Sequence, residues 1–379
     1  MAGKPELQPL SVFLDDGVVP RSSRDDNYNR LGENISKYLV VKPGDVVFNK
    51  LRTWQGGFGV SRYEGIVSPA YFVCRPKSDV EARYLHYLLH STPYLAELTR
   101  VSKFMPPSQF DILWEDLRDL PILLPPTDAQ RAIADYLDAE TARLDGLIEK
   151  KQKMVQLLNQ RMTEFAESVI WRDVPATCPL MYQTDPNRPI MYGIVLPGPN
   201  VSDGVPIIKG GDVAARRLSP AELNRTTRDI EAHYARARLV KDDLVFAIRG
   251  GIGDVEVVPA ELTGANMTQD VARIAPAGNV VPQWLRLVLR TPSVTRQVES
   301  RITGATVKGL NIWDLKRIHV PMSDCARQRQ DLWLLTEAER NVQRQISLLS
   351  RQLALFGERR QAVITAAVVG QLEIPEIAA

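Results

Sequence analysis

Hydrophobic residues between Thr127 and about Ile170 recur at spacings of three and four, in the period of a helix rather than a strand. Leu144, Leu147, Ile148, Met154, Val155, Leu158, Met162, Phe165 and Val169 make a narrow stripe with one charged residue, Lys151, inside it. Such a stripe is the signature of a helix that pairs with another helix. Thr127 and Gln130, following Pro125-Pro126, predict a capping box at the start. About 44 residues at ~1.5 Å each would extend roughly 65 Å, and a rod of that length needs a partner for its apolar side.

The chain supplies one by repeating itself. A shift of 198 positions lays Asp116-Leu117-Arg118 on Asp314-Leu315-Lys316, Gln130-Arg131 on Gln328-Arg329, Ile148 on Ile346, and Asp45-Val46-Val47-Phe48 on Asp243-Leu244-Val245-Phe246. Thr92-Pro93 and Trp114 match Thr291-Pro292 and Trp313 one position further on, as a small loop insertion would produce. The second copy of the stripe runs through Leu335, Val342, Ile346, Leu349, Leu353, Phe356, Val363, Ile364 and Ala367. The expected seam is therefore Leu144, Ile148, Val155, Leu158, Met162 and Phe165 against Val342, Ile346, Leu349, Leu353 and Phe356.

Ahead of each stripe lies a stretch of different texture. Short runs rich in Val, Phe and Tyr and bounded by Gly, Pro and Asp read as strands, among them DVVFNKLR and GIVSPAYFVCRP, then DLVFAIRG and VARIA. Helical segments follow, near 80–90 and 93–101 in the first copy and 283–300 in the second. The expected fold class is α+β. Two similar mixed domains, 1–125 and 171–323, alternate with two long helices, 126–170 and 324–370, that pair as an antiparallel coiled coil about an internal pseudo-two-fold axis, and 371–379 forms a tail. The second domain carries a longer Pro- and Gly-rich lead-in, so the two copies are expected to present different surfaces.

Charge adds little until it is divided. The net +2 of the chain is balanced over 1–125, which holds 15 basic and 15 acidic residues, while 171–323 holds 19 and 15. That excess permits nucleic-acid binding without arguing for it. Cys74, Cys178 and Cys325 lie too far apart in sequence to form a disulfide framework or a zinc cluster, and no apolar run approaches the length of a membrane span, so a cytoplasmic protein is expected.

Catalytic signatures are weak. Arg249-Gly250-Gly251-Ile252-Gly253-Asp254 and Gln55-Gly56-Gly57-Phe58-Gly59 lack the spacing of a phosphate-cradling loop and fit turns better. His86 and His90 stand four apart without further ligands nearby, and Asp314-Leu315-Lys316 has no acidic partner in a matching strand. No methyltransferase motif of the Asn-Pro-Pro-aromatic type is present. What does recur is a set of basic, amide and aromatic residues in equivalent loops: Lys50, Arg52, Trp54, Gln55 and Lys103 in the first domain, and Arg249, Arg301, Thr306, Lys308 and Asn311 in the second. Such side chains neutralise phosphates and present hydrogen-bonding forks to base edges. Solvated loop charge is the plainer alternative for any one of them.

Several stretches together resemble a known family. Gly44-Asp45-Val46-Val47-Phe48-Asn49-Lys50-Leu51-Arg52 leads into Gly59-Val60-Ser61 and Gly65-Ile66-Val67-Ser68-Pro69-Ala70-Tyr71; 120–126 runs into Ala129-Gln130-Arg131-Ala132-Ile133-Ala134; and Arg360-Gln361-Ala362-Val363-Ile364-Thr365-Ala366-Ala367-Val368-Val369-Gly370 closes the second stripe. These, with the domain-helix-domain-helix order, resemble the specificity subunits of type I restriction-modification systems. The second junction, Ser323-Asp324-Cys325-Ala326-Arg327-Gln328, departs from the pattern in lacking the Pro-Pro pair. The resemblance implies a non-catalytic reader of double-stranded DNA, each domain recognising one half of a split, asymmetric site and the paired helices setting the distance between halves. It implies two modification subunits that use S-adenosylmethionine to methylate adenine N6, and two restriction subunits that use ATP and Mg2+, with no cofactor bound by this chain. A self-contained methyltransferase or nuclease, or a coiled-coil scaffold without DNA binding, are the alternatives.

Overall fold

The structure is a computed structural model that describes residues 6–14, 17–24, 35–105, 109–304 and 308–374. It divides into two compact units, one made of 1–152 with 349–379 and the other of 153–348. The helix expected from Thr127 runs Thr127–Trp171, and its counterpart runs Cys325–Val368. Each long helix thus gives one end to each unit.

In the first unit the strand Val46–Asn49 lies between Phe58–Val60 and Tyr71–Cys74, antiparallel to both. Val46, Val47 and Phe48 are buried on both faces of this sheet, which explains a run without polar alternation. Two small antiparallel pairs flank it, Leu10–Phe13 with Gly17–Pro20 and Leu39–Val41 with Gly65–Val67. Helices Ala82–His90 and Thr92–Val101 cover one side, the first capped by the Glu81 carboxylate and the second begun by Pro93. Tyr84, Tyr87 and Leu88 then pack on Ile133, Ala134 and Leu137 from the start of the central helix and on Ile364, Ala367 and Val368 from the end of the terminal one.

The second unit repeats the plan with an addition. Leu244–Ala247 lies between Val255–Val257 and Val271–Ile274, and the lead-in contributes an outer strand, Met191–Tyr192, beside Val271–Ile274. A further three-stranded sheet joins Val205–Ile208 to Arg225–Thr226 and, in parallel, to Asn266–Met267. The core gathers Trp284, Leu285 and Val288 of the helix Pro282–Leu289 with Val169 and Ile170 near the end of the central helix and Leu335 near the start of the terminal one. In each unit, the start of one long helix packs into the same core as the end of the other.

The helix starts are fixed differently from the sequence expectation. The Thr127 and Gln130 capping box does not form. Gln130 is 1% exposed, and its amide accepts from the Glu81 N–H at 2.9 Å while donating to the carbonyls of Pro125, at 2.8 Å, and Asp79, at 3.0 Å. Gln328 repeats this in the second unit, accepting from Val281 N–H at 2.7 Å and donating to Ser323 and Asn279 at 2.8 and 3.2 Å. A buried amide with both ends satisfied ties the first turn of each rod to the loop entering the domain helix. A side chain that spans to a second segment is lost to local capping.

Among the residues expected in the seam, one is more exposed than the rest. Leu144 and Leu349 are buried, and Ile148, Val155, Leu158, Met162, Val342, Ile346, Leu353 and Phe356 are half-buried. Phe165 instead is 37% exposed, while Met162 and Ala166 pack against the core of the second unit. A straight helix at 3.6 residues per turn drifts away from a strict heptad, and the inward line passes from Met162 to Ala166 and Val169, leaving Phe165 beside it.

Replacing Gln328 by Leu leaves the Val281 N–H and two carbonyls without their partner. The expected loss is about 1–3 kcal/mol of stability. It is measurable as a lower midpoint in calorimetric unfolding, and an unchanged midpoint would count against the latch.

Candidate nucleic-acid interface

The sequence-derived loop residues are positioned by one joint that occurs in both units. In the first, the strand Val46–Asn49 ends in a tight turn: Asn49 Oδ1 accepts from Leu51 N–H at 3.1 Å, Thr53 Oγ1 donates to Asn49 O at 2.7 Å, and Gly56, at φ 87°, closes the short 3-10 turn Thr53–Gln55. Ile112 N–H donates to Lys50 O at 3.2 Å, and the neighbouring Asp111 pairs with Lys103 across the hairpin of Lys103–Met105 and Gln109–Asp111. The second unit builds the same joint 198 positions on, with Leu310 N–H donating to Ile248 O at 3.0 Å. Two loops distant in sequence are thereby held side by side.

The joint sorts the candidates. Arg52 and Gln55 project from the turn, exposed, and Lys103 is exposed beside them; neither Arg52 nor Lys103 has a salt-bridge partner among the described residues. Lys50 is already engaged, its Nζ donating to Pro69 O at 2.8 Å and lying 4.5 Å from the centre of the Phe72 ring. Trp54 is half-buried, with Nε1 donating to Leu51 O at 3.2 Å, and so anchors the turn.

In the second unit, Arg249 leaves the strand end on the surface and sits 3.8 Å from the Asp270 carboxylate. Its backbone passes so close to Gly210 that a Cβ there would lie 2.4 Å from Arg249 O, and its side chain runs over Gly309. Lys308 is exposed next to Gly309. Arg301 donates to Gln297 O at 2.8 Å and Asn311 to the Asp314 carboxylate at 3.2 Å, so both have protein partners. Thr306 lies outside the described residues.

The structure adds residues that the sequence reading passed over. Arg217 is exposed and donates to Gly211 O at 2.6 Å, which places it beside Gly210 and hence on the Arg249 side of the unit. The Arg216-Arg217 pair just after a Gly-Gly-Asp turn was the available signal. Trp313 is 65% exposed and carries the Arg317 guanidinium 3.0 Å from its ring centre. Trp114, its counterpart, is 41% exposed and stacks on Phe72 with centroids 5.5 Å apart.

The glycine runs are turns, as their spacing implied. Gly250 and Gly253 have φ of 78° and 99°, and Asp254 N–H donates back to Gly251 O. His86 and His90 do not converge on a metal. Their rings stack at 4.2 Å, His90 Nδ1 lies 2.8 Å from His86 O and its Nε2 3.2 Å from Gly56 O, and no group of three His, Cys, Asp or Glu suited to a metal exists among the described residues. A neutral ring can donate to one of those carbonyls, and the shorter contact is the stronger claim.

The comparisons bear on this geometry. A specificity subunit of the type I restriction enzyme EcoBI from Escherichia coli is 26% identical over 239 residues, covering 56% of this chain and 50% of that protein. The chain therefore spans about half the length of that relative. A chain from a structural study of complex assembly and conformational transition of the type I restriction-modification system superimposes with a TM-score of 0.71 at 18% identity, over 90% of this chain and 85% of that one. The HsdS subunit of Thermoanaerobacter tengcongensis gives 0.50 at 20% identity, over 90% and 84%. The chain is similar to type I specificity subunits in sequence and in fold. No family model matches it. The likeness to specificity subunits covers both units and both long helices, as expected of a match over nine-tenths of the chain. No helix among the described residues is long and apolar enough to cross a membrane.

Burial pulls the His86 imidazole down to about 3, with His90, Arg360 and Arg62 acting in the same direction. A base held neutral in the folded state contributes stability that is present above its unfolded value near 6.5 and lost as pH falls towards about 3. His86→Gln removes that proton uptake. The variant is expected to lose stability less steeply than wild type between pH 6 and pH 4, by up to about 1.4 kcal/mol per pH unit. Parallel unfolding curves across that range would refute the assignment.

Proposed function

We propose that this chain is the DNA-reading, non-catalytic subunit of a type I restriction-modification complex. One observation carries the reading: the same strand-turn-hairpin joint is built twice, and each copy lifts cations without ion-pair partners among the described residues, Arg52 and Lys103 in one and Lys308 in the other, clear of the core. Cations held on a rigid joint can meet phosphates without first breaking a protein salt bridge. Arg249, loosely paired to Asp270, and Arg217 extend the second set.

In this reading each unit recognises one half of a split DNA site. The long helices pair antiparallel and set the separation of the halves, a geometry supported by the packing of one helix start beside the other helix end within each core. Their outward faces carry large apolar side chains, among them Met154, Leu157, Trp333, Leu348 and Leu355, which suit docking of modification subunits. Those subunits would bind S-adenosylmethionine and methylate a flipped-out adenine, and restriction subunits would use ATP and Mg2+. The chain would contribute register rather than chemistry.

Arg52→Ala and Lys308→Ala are each expected to weaken binding to the cognate duplex and to lower its salt dependence by about one counterion, without lowering the unfolding midpoint. Fluorescence anisotropy over a salt series measures this. Wild-type affinity in both variants would remove the joint from the interface.

Deleting four residues from the exposed middle of the central helix shortens it by about 6 Å. That is expected to change the unspecified spacer of the methylated site by roughly two base pairs, at about 3.4 Å per pair. Mapping of methylated adenines reads the spacer directly, and an unaltered length would sink the ruler.

A further inference from the structure

The repeat places different chemistry at one matched position in the two units. In the second, Glu256 stands opposite Val245 on the neighbouring strand and its carboxylate meets Arg286 twice at 2.8 Å and Arg290 at 3.7 Å. In the first, the residue opposite Val47 is Gly59, and the helix positions 200 before Arg286 and Arg290 are His86 and His90. The second unit therefore neutralises a helix face with its own carboxylate. The first has no carboxylate on that strand position.

A cavity of about 820 Å³ lies there instead, within the first unit, lined by Gly59, His86, His90, Arg62, Arg360 and Tyr63 among others. His86 Nδ1 is shut off from solvent and has no hydrogen-bond partner. Arg62 is exposed and without a salt-bridge partner among the described residues, and Arg62 and Arg360 both bear on the His86 ring. Arg360 is held by Asp145 through Nε at 3.0 Å, which leaves its remaining N–H groups for another acceptor. Arg83 and Asp138 also line the cavity; Arg83 is bonded to Glu81, Asp135 and Asp138, and Asp138 also accepts from Tyr87.

We propose that this cavity binds a phosphate group, free or as the monoester of a small molecule, which takes the place that the Glu256 carboxylate occupies in the second unit. Arg62 and Arg360 donate to its oxygens, beside the His86 ring that lines the same cavity. Guanidinium forks match the geometry of phosphate oxygens, and the volume suits a body of nucleotide size. The lining residues named for the site do not include Arg52 or Lys103, so its test is separate from that of the DNA-reading role.

The full chain carries four histidines, so its imidazole nitrogen resonances can be assigned by substitution. Titration with inorganic phosphate is expected to shift the His86 Nδ1 resonance with a dissociation constant of about 1 mM or tighter. Adenosine 5′-monophosphate is expected to produce the same shift, and adenosine is not. Arg62→Ala, at an exposed and unpaired position, keeps the fold and is expected to weaken phosphate binding about tenfold. No shift in wild type at tens of millimolar phosphate, an equal shift in Arg62→Ala, or a shift produced by short duplex DNA and not by free phosphate would each overturn the proposal.

Discussion

Neither globular core in this protein is closed by its own strands and domain helices. Tyr84 and Leu88 in one unit, and Trp284 and Val288 in the other, are covered by side chains from the ends of both long helices. Burial of several large apolar groups on each side is the dominant favourable term available, and it is available only when two helix ends arrive together. The rest of the architecture follows from that requirement. The buried amides of Gln130 and Gln328 then fix where each helix leaves its loop, because any displacement strands donors and acceptors away from water.

The internal repeat keeps the parts that meet this constraint and varies the parts that do not. Asp45 and Asp243 are both buried, both accept from a backbone N–H three residues earlier at 2.9 and 2.8 Å, and both are met by an arginine from elsewhere in the chain, Arg75 and Arg188. A buried carboxylate needs such partners wherever it occurs. Away from these points the copies diverge: an added strand and a second sheet in the later unit, and a Glu-Arg network where the earlier unit has glycine and stacked imidazoles. Such divergence on one scaffold gives the two units different surfaces.

Placement of charge follows the same division. Lys50, Arg301 and Asn311 looked equivalent to Arg52 and Lys308 along the chain, yet the first three are tied to protein oxygens and the other two stand free of ion pairs among the described residues. Lys50 is tied to Pro69, 19 residues away, whereas Arg301 and Asn311 are tied to residues four and three positions away. Function in a loop depends on what the scaffold leaves unsatisfied.

The amino-acid sequence by itself determined the two long helices to within a residue or two, the strand at each domain's centre, the repeat and the turns at the glycine runs. Those features are local or periodic, and the period of apolar residues is set by helix and strand geometry alone. Only the tertiary structure decided that Gln130 spans to another segment instead of capping its own helix, that Phe165 is exposed beside the buried line, that Arg217 lies on the Arg249 side of its unit, and that Trp313 is exposed under the Arg317 guanidinium. It also decided that Gly59 and His86 share a cavity where Glu256 and Arg286 share a salt bridge. The Gln130 and Glu256 contacts join atoms about 3 Å apart across long sequence separations, and the exposure of Phe165 and Trp313 depends on what packs around them, neither of which spacing along a chain encodes.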